Sequence, residues 1–335
     1  MAEYYQYGIP SEEWLILQAG QPSAAPPSSQ TIQELQAATN AGRETSSSRL
    51  MAWKGLSNQV RWSDASIPTR DGSTIPARIY RPSQCQDAEE LPVYVFFHGG
   101  GFMFGTIDSE DYNCARVVSL VPVILIHICY RHTPAFSHPT QANDAQDGFE
   151  WAVSHAAELG GDANRIIIGG ISAGGSLAAS IVLRENQNSP GKGRISGQLL
   201  AIPWLQHPEV SMQDGNSSYV QNKDAPVLPL AQTLRFSNNL GVANIRDETL
   251  FAANARDADF AAMPKTLVLV AGMDVLRDEA LRYEQRLREQ GVHTKLHVFS
   301  GLPHGFYRHA ELPSAEEWFS TMAAGIKWMI DHGNN

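Results

Sequence analysis

Cysteine is scarce: Cys85, Cys114 and Cys129 are the only three in 335 residues. An odd number without motif spacing excludes a disulfide framework and points to a reducing compartment, with Cys114 and Cys129 packed as core thiols. Positive charge is scarce too. Lys plus Arg number 25 against 35 Asp plus Glu, a net charge of −10, and no cationic face emerges that could neutralise phosphates, so nucleic acid is excluded as a partner. Arg282, Arg286 and Arg288 do cluster, but Glu279, Glu284 and Glu289 are interleaved with them, the pattern of a solvated helix face. Long apolar runs are missing. The longest, Val121 to Tyr130, contains Pro122 and His127 and is about half a membrane span. Met1 to Gly20 carries Glu3, Glu12 and Glu13 and has no basic start followed by an apolar core, so it does not read as a secretory leader. A cytoplasmic protein without a membrane span is expected. No Gly-x-Gly-x-x-Gly or phosphate-loop lysine motif occurs, which removes support for a nucleotide cofactor.

What is present is an ordinary globular composition, long enough for two domains or one large domain with a lid. Gln21 to Gln30 holds three prolines and reads as a linker, between a short helix around Glu12 to Gln18 and another from Ile32 to Ala41. Val60–Pro68 and Ser73–Tyr80 flank Asp71-Gly72, a hairpin signal. Continuous apolar runs then recur at 92–97, 122–130, 165–169, 195–202, 266–271 and 293–299. Helix-like stretches at 109–120, 141–158, 173–184, 277–290 and 315–331 are interspersed with them. Apolar strands alternating with helices predict an α/β fold with a mostly parallel sheet covered on both faces. Residues 205–262 break the rhythm. They are polar, carry Pro208, Pro226 and Pro229, and have helix-like pieces near 229–240 and 247–253, which suggests an insertion above the carboxyl edge of the sheet.

Gly170-Ile-Ser172-Ala-Gly174 joins the strand at 165–169 to the following helix. The Gly-x-Ser-x-Gly pattern lifts a serine on a turn so tight that its flanks must be glycine, and the helix N-terminus offers amides to a developing oxyanion. Taken alone, roughly one chain in ten of this length contains it by chance. A second motif gives it context: His98-Gly99-Gly100-Gly101-Phe102 directly follows the strand at 92–97, and bare backbone amides are what an oxyanion hole requires. His98 itself reads as a structural residue that holds the loop. A serine nucleophile needs a base and the base an orienting carboxylate. Asp274 at a strand end and His304, between Pro303 and Gly305 after the last strand, supply them in the order Ser…Asp…His. Asp278 is the competing acid, but it falls in the first turn of a helix, where a carboxylate is favourable anyway. Among the other histidines, His293 and His297 share a strand face without a third ligand, and no metal site is expected; His155 and His309 read as surface.

These pieces resemble the hormone-sensitive-lipase-like branch of the α/β-hydrolases. The resemblance runs from about residue 58 to 330, through His98 to Phe102, Tyr130-Arg131 with Pro134, His138-Pro139 with Asp144, Asp162 with Arg165, Gly170 to Gly175, Asp274 with Leu276 to Glu279, and His304-Gly-Phe306. It implies the α/β-hydrolase fold, an eight-stranded, mostly parallel sheet flanked by helices with a helical cap. It also implies Ser172 as nucleophile, His304 as general base then acid, and Asp274 as its orienter. The amides of Gly100, Gly101 and Ala173 would form the oxyanion hole, with Gly99 shaping the loop. The cap would comprise residues 1–50 and 205–262, and the hydrolase core 51–204 and 263–335. Two departures stand out: Ile171 precedes the serine where the family usually has Asp or Thr, and Tyr130-Arg-His-Thr-Pro-Ala135 replaces Tyr-Arg-Leu-Ala-Pro-Glu.

The function expected is a cofactor-free serine carboxylesterase acting on a small to medium, fairly apolar ester. Trp14, Trp53, Phe102, Phe104, Trp204 and Met212 are candidate pocket or cap residues. One alternative is a specialised enzyme on the same triad, cleaving a lactone, thioester or C–C bond or driving an elimination or cyclisation. A non-catalytic small-molecule receptor is a remote alternative, because His304 is retained. A homodimer through an edge strand or the last helix fits the same reading.

Overall fold

The computed structural model describes residues 4–20, 30–86 and 89–331. The proline-rich stretch read as a linker therefore lies, except for Gln30, outside the described residues. A single eight-stranded sheet runs through the molecule in the order β1-β2-β4-β3-β5-β6-β7-β8. The strands are β1 (Val60–Pro68), β2 (Thr74–Pro82), β3 (Leu91–Phe97), β4 (Ile124–Ile128), β5 (Gly161–Ile171), β6 (Ile195–Ala201), β7 (Lys265–Met273) and β8 (Thr294–Pro303). The β1–β2 hairpin is antiparallel, as is the pairing of β2 with β4. Every pairing from β4 through β8 is parallel.

The continuous apolar runs are buried on both faces, and alternate residues feed two cores. On one face Val93, Val95 and Phe97 of β3 join the helices α4 (Thr140–His155) and α5 (Ala173–Asn188). On the other, Tyr94 and Phe96 meet α3 (Asp111–Leu120), α10 (Pro313–Ile330) and Trp14 of α1 (Glu12–Ala19). Two helical parts lie largely within the residues expected to form a cap. The first is α2 (Ile32–Trp53), opened by a Thr31–Glu34 capping box. It is twice the expected length, because Gly42 and the Ser46–Ser48 run are poor helix formers only until packing decides. Ser47 is buried with its Oγ accepting the Tyr112 amide at 3.1 Å, and Leu50 and Met51 are buried behind it. The second, from Leu205 onward, contains α6 (Pro208–Gln213), α7 (Ser218–Gln221) and α8 (Leu230–Leu240). The helix expected near 247–253 is instead a set of turns with a short 3-10 stretch at Ala252–Asn254.

The charged face read as solvated on α9 (Arg277–Glu289) is corrected by the structure. Glu279 is 2% and Glu284 6% exposed, and Arg286 donates to the carbonyls of Ala253 and Ala255. All three cysteines are buried free thiols. His155 and His309 are half-buried, not on the surface: His155 stacks on Trp151 at 4.5 Å and His309 meets Trp14 edge-on at 5.6 Å. Among the described residues no helix is long and apolar enough to cross a membrane.

Candidate active site

The sequence-predicted residues follow four different strands, and all four strand ends lie at the same edge of the sheet. His98 to Gly101 follow β3, Ser172 follows its neighbour β5, Asp274 follows β7, and His304 follows the adjacent β8. Such an edge is where open α/β sheets bind ligands. The turn at Ser172 is held in a sparsely populated conformation, φ 55° and ψ −117°, at a cost of roughly 1–3 kcal/mol. Its surroundings hold it there. The Ser172 amide donates to Ala201 O at 2.9 Å, its carbonyl accepts from Trp204 N at 3.1 Å, and Ser176 Oγ donates to the Trp204 carbonyl. Strand and helix approach so closely that a Cβ on Gly170 would collide with the Gly174 backbone, and one on Gly174 with the Phe97 carbonyl. This is the steric reason for glycine on both sides of the serine.

Asp274 is 1% exposed. Its Oδ1 accepts the Leu276 amide at 3.0 Å and its Oδ2 meets His304 Nδ1 at 2.6 Å. An Asp so placed fixes which imidazole nitrogen carries the proton and leaves Nε2 as the basic one. The competing Asp278 is committed elsewhere, to Arg277 Nε at 2.7 Å, Ser217 Oγ at 2.7 Å and Ser218 N at 2.9 Å. Ser172 and His304 line one cavity without a hydrogen bond between them; such contacts often close only around substrate.

The loop after β3 has left-handed glycines at Gly100 (φ 135°) and Gly101 (φ 62°). Among the described residues their amides enter no backbone hydrogen bond, whereas the Gly100 carbonyl is used by Met103 N and Phe104 N at 3.0 Å. Ala173, the first residue of α5, adds an amide with no partner within its helix. His98 is fully buried and acts as a brace: its Nδ1 lies 2.9 Å from Gly99 O and its ring stacks on Tyr130 at 4.5 Å, while Tyr130 Oη donates to His98 O at 2.8 Å. Arg131 in turn grips buried Asp144 through two contacts of 2.6 and 2.9 Å. The residues that carried the resemblance around Tyr130 thus shape the loop from behind.

His98, Cys129 and His132 bring three potential metal donors within 4.8 Å of one another, a group that the sequence reading passed over in favour of His293 and His297. Burial pushes the His98 pKa down to about 3 and the Cys129 thiol up to about 12, and it also holds His132 well below the ordinary imidazole range. The 3.2 Å His98–His132 contact is therefore one between neutral rings. His297 lies 3.3 Å from Glu317 at the far edge of the sheet.

The cavity above Ser172 has a volume of about 340 Å³, in the range of small-molecule sites. Of the six candidate pocket residues, Phe104 and Trp204 line it. Phe102 is buried beside Trp204, Trp14 belongs to the core on the other face of the sheet, and Trp53 and Met212 are exposed. Sequence reading missed Leu35, Thr39 and Arg43, one face of α2 that points into the cavity, together with Phe236 and Arg308. The spacing 35-39-43 was a usable signal, since residues four apart share a helix face. Ile171, unusual at its position, is 2% exposed, packs into the core of the second face and also lines the cavity floor beside Ser172.

A family model described as alpha/beta hydrolase fold matches residues 94–308. Esterase LipI of Mycobacterium tuberculosis is 32% identical over 72% of this chain and 74% of its own length. The ethyl acetate hydrolase of Pseudomonas putida is 34% identical over 73% of this chain and 76% of its own. Among solved structures, a vibralactone cyclase superposes with a TM-score of 0.87 at 25% identity, covering 97% of this chain and 96% of that one.

Proposed function

This chain belongs to the α/β-hydrolase family, in its hormone-sensitive-lipase-like branch, and is a carboxylesterase-type hydrolase of small-molecule esters; within that frame we propose Ser172 as nucleophile, His304 as base and Asp274 as its orienter. The Ser172 hydroxyl attacks the ester carbonyl while His304 Nε2 takes its proton. The resulting oxyanion is met by the amides of Gly100, Gly101 and Ala173, fixed in place before the charge develops. The tetrahedral species collapses as His304 returns the proton to the leaving alkoxide, giving the alcohol and an acyl-Ser172. Water, deprotonated by the same imidazole, attacks the acyl carbon and releases the carboxylic acid with Ser172 restored. The observation that carries this reading is the 2.6 Å His304–Asp274 contact, made beside the cavity onto which the strained Ser172 opens.

We further assign residues 1–50 and 205–262 to a cap over the site. The three free thiols favour a cytoplasmic location, and the β8 edge, where Leu296 is 43% exposed, is the surface for self-association. The likeness to a vibralactone cyclase supports a second reading, in which the same site closes a ring instead of admitting water.

The test is intact-protein mass after treatment with a fluorophosphonate. Wild-type protein is expected to gain one adduct and Ser172→Ala none. An adduct that persists in the variant would exclude Ser172, and a labelled enzyme that turns over no simple ester would favour the ring-closing reading.

A further inference from the structure

Arg43 is a cation in the cavity wall that, among the described residues, makes no hydrogen-bonded ion pair of its own. Its side chain leaves α2 on the same face as Leu35 and Thr39, and its guanidinium stacks over the Phe104 ring at 5.4 Å. Nη1 lies 3.0 Å from where a Cβ on Gly100 would stand, hard against the proposed oxyanion loop. That nitrogen is buried and has no hydrogen-bond partner. The other guanidinium in the wall, Arg308, is already paired: its Nη2 reaches Glu110 Oε1 at 3.0 Å, while Glu110 Oε2 accepts from Asn113 at 2.6 Å. Burial alone would raise the Glu110 pKa, but the charges around it, Arg308 foremost and Arg43 among them, hold it at about 2, so this acid is ionised. Burial, and then Arg308, bring Arg43 down to about 10, which leaves it charged at neutral pH. Two guanidinium groups thus face one carboxylate, and the nearby His98 and His132 rings add no charge.

A buried cation left to share one anion with a second guanidinium is costly, and a guanidinium fork is the side chain best matched to a carboxylate. We propose that Arg43 binds a free carboxylate on the substrate, so that the preferred ester is the half-ester of a dicarboxylic acid. The proposal rests on the ester-hydrolase reading above. The guanidinium rests over the Phe104 ring, and its unpartnered Nη1 stands beside Gly100 in the cavity wall. The carboxylate would therefore sit a few carbons from the scissile carbonyl. Neutral esters of the same length would leave the charge unanswered.

The experiment compares kcat/KM for 4-nitrophenyl hydrogen glutarate with that for the neutral 4-nitrophenyl pentanoate, in wild type, Arg43→Lys and Arg43→Met. Wild type is expected to favour the half-ester at least tenfold. That ratio should fall at least tenfold in Arg43→Met and partway in Arg43→Lys. A wild-type ratio near one would overturn the proposal, as would a ratio unchanged in both variants, since an Arg43 acting on the oxyanion itself would slow both esters alike. Calorimetric binding of monomethyl glutarate to Ser172→Ala, lost when Arg43→Met is added, reads the same contact without turnover. If binding behaves so but no ester is cleaved, the hydrolase reading fails while the Arg43–carboxylate contact stands. If esters are cleaved without discrimination, the reverse holds.

Discussion

At the scale of single residues, what was legible in the sequence was the set of groups whose chemistry demands a particular neighbour. Gly170 and Gly174 are dictated by a turn that leaves no room for a Cβ, so with the His98-Gly-Gly-Gly101 run for context they point to Ser172 in the sequence. For Arg43 the sequence showed only a shared helix face through the spacing 35-39-43, not where that face turns. Nothing adjacent to it in the chain says that this face looks toward a cavity, because only the docking of α2 decides which face turns inward. The assignment of Asp274 has a consequence of its own. Asn in its place keeps the shape but offers a donor to His304 Nδ1, which favours the wrong imidazole tautomer. Asp274→Asn is expected to fold normally and lose on the order of 10⁴ in kcat on an activated ester. A loss below tenfold in a steady-state assay would transfer the role to another acid.

At the scale of elements, the strands read well because each is an unbroken apolar run, whereas the short helices after Trp204 did not. Their positions are set by side chains from α9, distant in sequence. Glu279 accepts from Leu205 N at 2.6 Å, Ser211 Oγ at 2.7 Å and Tyr219 Oη at 3.1 Å; Asn222 Nδ2 donates to the Asp274 carbonyl at 2.8 Å. The start of α9 therefore clamps the insertion to the strand end that carries Asp274. Burial raises the Glu279 pKa to about 8, against the pull of these donors. The folded state then keeps a proton that the unfolded chain has already lost above the ordinary carboxyl range near 4.5. Stability from this group is present in full below that range and is lost as pH rises through about 8. Thermal melting between pH 5 and pH 9 is expected to show a fall of the order of a few degrees in wild type, and Glu279→Gln, which stays neutral, should flatten that part of the profile. An identical slope in the variant would assign it to other groups.

At the scale of the whole molecule, the fold class was legible but the strand order was not. Apolar runs alternating with helices announce a parallel sheet, yet the exchange that puts β4 between β2 and β3 depends on how the chain crosses over, which no local pattern records. The net charge carries a second whole-molecule argument. A protein of charge −10 repels an approaching carboxylate at long range, whereas Arg43 can attract it only inside the cavity. Salt screens the first effect far more than the second, because the Debye length of about 10 Å at 0.1 M cuts off distant surface charges while a buried group feels little of it. Raising salt from about 10 to 150 mM should therefore increase kcat/KM for the half-ester by roughly twofold or more, chiefly through faster encounter, and leave the neutral ester nearly unchanged. Recognition by exposed cations predicts the opposite sign, since screening would weaken their attraction. Stopped-flow rates for the two esters across a salt series distinguish the cases, and a half-ester rate that falls with salt would move the carboxylate site from the cavity to the surface.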